Sequence, residues 1–442
     1  MKKRISVALA AAILVLSLSG CNGSSSTENT GKTENTSSVT NSAVDGNSYA
    51  TWKDIDRNKV IAHVEGADSE KFDITFGEFY SEYLYYLLSY NIDDDMSATY
   101  KDACETYRED IITYLTFERI FMEIAEEKGC GISSLTDEEK ATIKANTETT
   151  LNNFVSNYSS IAAEELGEGA SDDDVLNRAT EMLVSDLARA ELTTAIFEKW
   201  ETNNFIQEKL TAVLNEGITV SEEEIDAMFE EYVAMAKTAL ETNKAEYETN
   251  STFTWIYKPE GTRLADQILV AFDSETQSKI SEARNAGNDE EADKLRNDAY
   301  NAEIQEKVNN IMSLIESGSD FNELQATYND DGGDEPYPVI VGSQIYVQEF
   351  TDAVFSVDNI GDVAAPAVSD YGVHIIKYEG DDVVTEEDLV EIRKSMSEFI
   401  LSQKQTSVQQ EAYEEWLDRF PYTVDYDLLQ VTVDADETDV LQ

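Results

Sequence analysis

The sequence predicts an α+β protein: a mostly helical body interrupted by a smaller mixed α/β segment. Three observations carry this reading. All five prolines (Pro259, Pro336, Pro338, Pro366 and Pro421) lie beyond residue 258, so the first half has no helix breaker of that kind. Long stretches of that half place apolar residues three and four apart, behind starts in which Ser or Thr precedes acidic residues. Between Arg263 and Glu379 the pattern changes to short runs rich in Val and Ile, before a long helical stretch resumes.

The elements follow in order. Residues 60–66 (V-I-A-H-V-E-G) alternate as a strand and end at a turn glycine. Thr75-Phe76-Gly77-Glu78 has the form of a capping box and opens a helix to about residue 90. Its dense aromatics (Phe76, Phe79, Tyr80, Tyr83, Tyr85, Tyr86) predict burial between neighbours. Residues 98–128 carry Ile111, Ile112, Leu115, Ile120, Phe121 and Ile124 at helical spacing and stop at Gly129. Thr136, Ser171 and Ser221, each followed by acids, start further helices.

Beyond Arg263, residues 267–272 read as a strand. Residues 275–317 read as helical, with an interruption near 285–288 and an end at Gly318. Asp320-Phe321 opens a short helix to Tyr328, and Asp330-Asp331-Gly332-Gly333 is a turn. Residues 339–341, 363–368 and 373–378 are three more strands. A capped helix spans Thr385 to about Arg419, and the alternating tail 422–433 is suited to pair with the first strand.

The start of the chain predicts export. Residues 2–4 are Lys-Lys-Arg, and residues 5–16 form an apolar run too short to span a bilayer but right for the core of a secretory signal. Leu18-Ser19-Gly20-Cys21 follows and resembles the lipobox of bacterial lipoproteins, which implies cleavage before Cys21 and a lipid on its thiol. Residues 22–49 are too polar to bury a core and read as a flexible tether. The expected location is the extracytoplasmic face of the bacterial cell membrane. The expected organisation is a signal over 1–20, a lipidated linker over 21–50 and a helical lobe over 51–258. An inserted domain over 259–382 follows, then a returning helix and strand over 383–433 and an acidic tail over 434–442.

The formal net charge is −58, and loss of the signal would remove only positive charges. Such an anion repels nucleic acid and acidic lipid headgroups and attracts cationic polypeptides. Cys104 and Cys130 could form one disulfide in an oxidising compartment but offer no metal-site spacing. With His63 and His374 the only histidines, a histidine-built zinc site has no support. There is no glycine-rich phosphate loop and no G-x-S-x-G elbow, so no cofactor is expected.

Six segments stand in an order that resembles a parvulin-type (PpiC-like) peptidyl-prolyl isomerase domain. They are A-D-Q-I-L-V (265–270), E-S-G-S-D-F-N-E-L (316–324), Y-N-D-D-G-G (328–333), F-T-D-A-V-F-S-V (350–357), I-G-D-V-A-A-P-A-V (360–368) and Y-G-V-H-I-I-K-Y (371–378). The flanking strand, helices and returning strand are similar to those of exported foldase lipoproteins of Gram-positive bacteria and their periplasmic chaperone relatives. The resemblance implies a helical chaperone lobe with an inserted domain built on a four-stranded antiparallel sheet with flanking helices. It implies an apolar proline pocket containing Phe350, with Tyr346 where the family often has Met or Leu. It places Asp331 where the family has an acid or thiol facing the peptide bond, and His374 as one of two paired histidines. The partner histidine is replaced by Gln267, which donates and accepts but cannot become a cation. The loop after Asp331 departs too, with Pro336 and Pro338 where glycines are common. His63, outside this domain, reads as structural.

The implied activity is foldase action on unfolded exported polypeptides, with cis–trans isomerisation at X-Pro segments. The alternative is a holdase chaperone whose parvulin-like domain binds peptides without catalysis. A solute-binding lipoprotein fits the signal and size, but repeated βα units are missing from the first 200 or so residues.

Overall fold

The computed structural model describes residues 55–65, 72–89, 101–167, 169–333 and 335–429. The segment 1–20, Cys21, the stretch to residue 50, the tail 434–442 and the side chain of Cys104 lie outside the described positions.

In chain order the elements begin with β1 (Val60–Val64), β2 (Asp73–Thr75), α1 (Phe76–Ser89), α2 (Lys101–Glu127), α3 (Asp137–Asn157), α4 (Ser159–Leu166), α5 (Asp172–Arg189) and α6 (Ala195–Asn215). Next come α7 (Glu222–Thr242), α8 (Lys244–Thr249), α9 (Ser251–Ile256), β3 (Arg263–Ala271), α10 (Ser274–Asn285), α11 (Asp289–Ala299), α12 (Gln305–Glu316) and α13 (Phe321–Tyr328). The chain continues through β4 (Tyr337–Val339), α14 (Gln348–Phe355), β5 (Ala367–Val368), β6 (Gly372–Asp381), α15 (Glu386–Arg419) and β7 (Tyr422–Val424). A π turn, Tyr300–Ile304, joins α11 to α12.

Local chemistry fixes many of the helix starts. Thr136, Ser171 and Ser221 each accept a backbone N–H at the third helical residue, whose acid reaches back to the cap, so all three make reciprocal capping boxes. Thr75 and Glu78 form the same reciprocal pair at α1, and Thr385 with Asp388 does so before α15.

The chain divides into two compact units, one of residues 1–218 with 404–442 and one of residues 219–403. The first is helical apart from a three-stranded antiparallel sheet in the order β2-β1-β7, so the C-terminal strand does pair with the first one. The aromatic face of α1 is buried there: Phe76, Phe79, Tyr80 and Tyr83 join Ile61, Ile74, Ile111, Ile112 and Leu115 in one core. His63 lies beside Asp73 at 2.7 Å on the neighbouring strand. Cys130 is a buried, free thiol, so the disulfide considered for it is not formed. Among the described residues no helix is long and apolar enough to cross a membrane.

The second unit contains a four-stranded antiparallel sheet in the order β4-β3-β6-β5. Its edge strands differ from the sequence expectation: β4 covers residues 337–339, two residues earlier than the expected 339–341, and β5 only 367–368 of the expected 363–368, with Val363 bridged singly to Lys377. Pro338 is tolerated within β4 because the strand lies at the edge, where proline's missing N–H breaks no ladder, and Ile340 leaves the strand to fill a different core. The central pair divides its side chains by strand alternation. Ile268, Val270, Val373 and Ile375 face a core shared with α10 to α13, while Ala265 and Ile376 face α14 and the residues around it. Helices α7 to α9 and the N-terminal half of α15 close a separate core around Tyr247, Phe253, Ile392 and Met396.

Candidate functional site

The face of the sheet opposite α10 to α13 carries two polar residues in its middle, Gln267 on β3 and His374 on β6, each 5% exposed. Leu269 pairs with His374 and Gln267 with Ile376, so the two polar side chains are diagonal neighbours on one face. His374 Nδ1 lies 2.9 Å from Gln267 Oε1, and its Nε2 lies 2.8 Å from the hydroxyl of Ser369. The amide oxygen can only accept, so Nδ1 carries the proton and Nε2 accepts from Ser369. Burial pushes the His374 pKa down to about 4, against the opposing pull of the Asp331 charge. The ring is therefore neutral at ordinary pH, and this tautomer is the one its two partners require.

Gln267 spends its remaining donor on Asp331, with Nε2 to Oδ2 at 2.6 Å. Asp331 is delivered by the turn after α13, and the shortness of β4 explains how. Since β4 reaches only Ala265, the outer edge of β3 beyond it would be left open. The turn closes that edge: Asn329 Oδ1 accepts the N–H of Leu269, Asp330 Oδ2 accepts that of Ala271, and the Asp330 N–H donates to the Leu269 carbonyl. Lys307 pairs with Asp330 at 3.2 Å, leaving the next carboxylate, Asp331, to face Gln267.

A second donor reaches Asp331 from β4. The Tyr337 hydroxyl donates to Oδ2 at 2.7 Å, and its pKa is pushed up to about 12 by burial and by that carboxylate. Gly333 makes room for it, since a Cβ there would stand 2.6 Å from the phenol oxygen. The Tyr337 ring also packs edge-on to Tyr346 and to Phe350, each at 6.0 Å between centroids. Tyr346 and Phe350 are 5.1 Å apart, and Phe350 meets the His374 ring at 5.8 Å. Phe350 itself is 3% exposed, so Tyr337 and Tyr346 form the reachable walls above it.

The five residues singled out from sequence, Gln267, Asp331, Tyr346, Phe350 and His374, thus converge in one place. Sequence reasoning missed Tyr337 and Ser369. A buried histidine needs partners on both nitrogens, which is a signal for Ser369, five residues away across a tight turn. Tyr337 gave a weaker one, an aromatic set between two prolines.

A four-stranded antiparallel sheet with helices on one face and an Asp–Gln–His–Ser hydrogen-bond run under an aromatic cluster on the other defines a parvulin-type domain. Residues 267–381 match the family described as PPIC-type PPIASE domain. The foldase protein PrsA of Caldanaerobacter subterraneus subsp. tengcongensis is 31% identical over 112 residues, which is 24% of this chain and 34% of that protein. The PrsA of Oceanobacillus iheyensis is 34% identical over 120 residues, 24% of this chain and 38% of its own length. The chain therefore matches little more than a third of the length of these curated relatives. The crystal structure of PrsA from Bacillus subtilis aligns over 82% of this chain and 93% of its own, with 14% identity and a TM-score of 0.19.

Proposed function

We propose that this protein is an extracytoplasmic foldase that catalyses cis–trans isomerisation of X-Pro bonds in partly folded exported polypeptides, and that a lipid on Cys21 holds it at the membrane. The observation that carries the enzymatic part is the unbroken run Ser369–His374–Gln267–Asp331 beneath Tyr337, Tyr346 and Phe350. The export part rests on the Lys-Lys-Arg start, the apolar run and the Leu18-Ser19-Gly20-Cys21 segment.

The reaction makes and breaks no covalent bond. X-Pro amides differ by only about 0.5–1 kcal/mol between isomers, yet exchange over tens of seconds because resonance resists twisting. A catalyst lowers that barrier by favouring the twisted, less conjugated amide over the planar one. The aromatic walls suit the pyrrolidine ring. A carboxylate beside the amide oxygen disfavours the resonance form that puts negative charge there, and Asp331 is the carboxylate in reach of such a position. Gln267 supplies the donor and the acceptor that a neutral histidine would offer at this place, accepting from His374 and donating to Asp331. Asp331, Gln267, His374, Phe350 and Tyr346 are thus the proposed site residues.

The second reading, peptide docking without turnover, draws on one observation: both Gln267 and Tyr337 already donate to the same oxygen of Asp331. A protease-coupled assay on a proline tetrapeptide decides between them. Turnover well above that of Phe350→Ala supports catalysis. Equal rates, together with suppressed aggregation of a denatured client, leave the holdase.

A further inference from the structure

The segment joining β4 to α14 leaves the parvulin-type sheet and is held elsewhere. Ile340, 5% exposed, sits among Ile225, Tyr247, Phe253, Ile256 and Ile392, the core of α7 to α9 and α15. Just beyond it, the Lys244 ammonium at the first position of α8 donates to the carbonyls of Val341 at 2.9 Å and Gly342 at 3.3 Å. One turn along α8, Glu248 Oε2 accepts the backbone N–H of Gln344 at 2.8 Å.

Gly342 is built for this contact. Its φ of +68° is left-handed, and a Cβ there would come within 3.0 Å of the Lys244 nitrogen. Two successive carbonyls can then turn toward one cation. The second oxygen of Glu248 is buried with no hydrogen-bond partner. The Tyr346 phenol pKa is raised first by burial and then by the Glu248 charge.

We propose that Lys244 and Glu248 are positioning residues for the proline pocket, holding 341–344 so that Tyr346 stays packed on Phe350. Both lie outside residues 267–381, so the pocket depends on a helix that precedes the parvulin-type match. The inference rests on the reading of Tyr346 and Phe350 as pocket walls. Lys244 and Glu248 touch neither substrate nor Asp331; they act through the loop.

The test uses the full chain carrying Lys244→Met, Glu248→Gln, Lys244→Arg or Phe350→Ala. Losing the Lys244 contacts raises KM for a proline tetrapeptide about five- to tenfold with kcat little changed. Glu248→Gln raises KM less, Lys244→Arg restores most of the loss, and the melting midpoint moves by no more than about 3 °C. Hydrogen exchange reads the clamp directly, and the Gln344 amide exchanges faster in Glu248→Gln. Unchanged KM in Lys244→Met and Glu248→Gln, alongside a loss in Phe350→Ala, overturns the clamp and leaves the pocket standing. A Phe350→Ala protein as active as wild type overturns the pocket reading and the clamp with it.

Discussion

His374 and Gln267 meet at 2.9 Å across the centre of the sheet, and that one contact fixes the protonation pattern of the whole site. Because the amide oxygen accepts, the imidazole proton sits on Nδ1, Nε2 is left to Ser369, and the amide nitrogen of Gln267 is free to hold Asp331.

Gln267→Leu keeps the approximate volume and removes both hydrogen bonds. It strands a buried Nδ1–H, which costs about 1–3 kcal/mol of domain stability, and lowers turnover by roughly tenfold or more as Asp331 loses one of its two side-chain donors. Gln267→His supplies a donor and an acceptor again and retains activity within a few-fold of the parent. Denaturant titration paired with the peptide assay separates the two effects. Wild-type turnover in Gln267→Leu would remove the run from the mechanism.

The pH response of the domain follows from His374. Its pKa is about 4 when folded against 6.5 for the ordinary imidazole, so the unfolded chain binds the extra proton between those values. Its stability contribution is complete above about pH 6.5 and is lost as pH falls toward 4, on the order of 3 kcal/mol in all. Asp266 works the other way, its carboxyl raised to about 7 chiefly by burial and then by Glu379, so the raw pH curve mixes the two. The difference between wild type and His374→Gln isolates the histidine, and the gap narrows as pH drops from 7 to 4. With only two histidines in the chain, ring-proton NMR gives the same answer directly. A His374 titration midpoint near 6.5 would contradict the buried neutral ring.

Much of this was legible because it is local. Capping pairs such as Thr136 with Glu139 and Ser221 with Glu224 sit three residues apart, and the alternation of β3 and β6 is written in their own residues. The five site residues came from ordered motifs rather than from any single pattern. What stayed hidden is set by distant partners. Tyr337 matters because a turn six residues earlier presents Asp331 to it, and Lys244 reaches a carbonyl 97 residues away. Ile340 belongs by sequence to the edge strand region, yet it fills a different core. No periodicity within a short window encodes such meetings.

Tyr337→Phe tests the second donor on Asp331. The ring stays against Tyr346 and Phe350, so KM for the tetrapeptide holds, while kcat changes by about two- to fivefold as the carboxylate loses a partner. Tyr337→Ala removes the wall and raises KM as well. Since the phenol pKa is pushed to about 12, Tyr337 produces no alkaline limb in the rate profile below about pH 10. A KM that rises as much in Tyr337→Phe as in Tyr337→Ala would mean the hydroxyl itself contacts substrate.

The helical unit carries the opposite pH sign. Glu82 on α1 is 8% exposed, and burial raises its pKa to about 7, with Lys199 on α6 lowering it and Glu118 on α2 raising it. Lys199 is already claimed by Glu118 at 2.9 Å, and Asn203 donates to the same carboxylate, so Glu82 is poorly compensated when ionised. A carboxyl whose folded pKa lies above its ordinary 4.5 favours folding at low pH, and this advantage fades as pH rises through 4.5 to 7. Glu82→Gln keeps the shape without the charge. It therefore stabilises the unit at pH 8 by on the order of 2–3 kcal/mol and changes little at pH 4.5. Hydrogen exchange of the α1 amides, followed at both pH values, resolves this unit from the parvulin-type domain. Equal protection in Glu82→Gln and wild type at pH 8 would show that the carboxylate is accommodated at no cost. Slower exchange in the variant there, and not at pH 4.5, would identify the buried acid as what loosens α1 above neutrality.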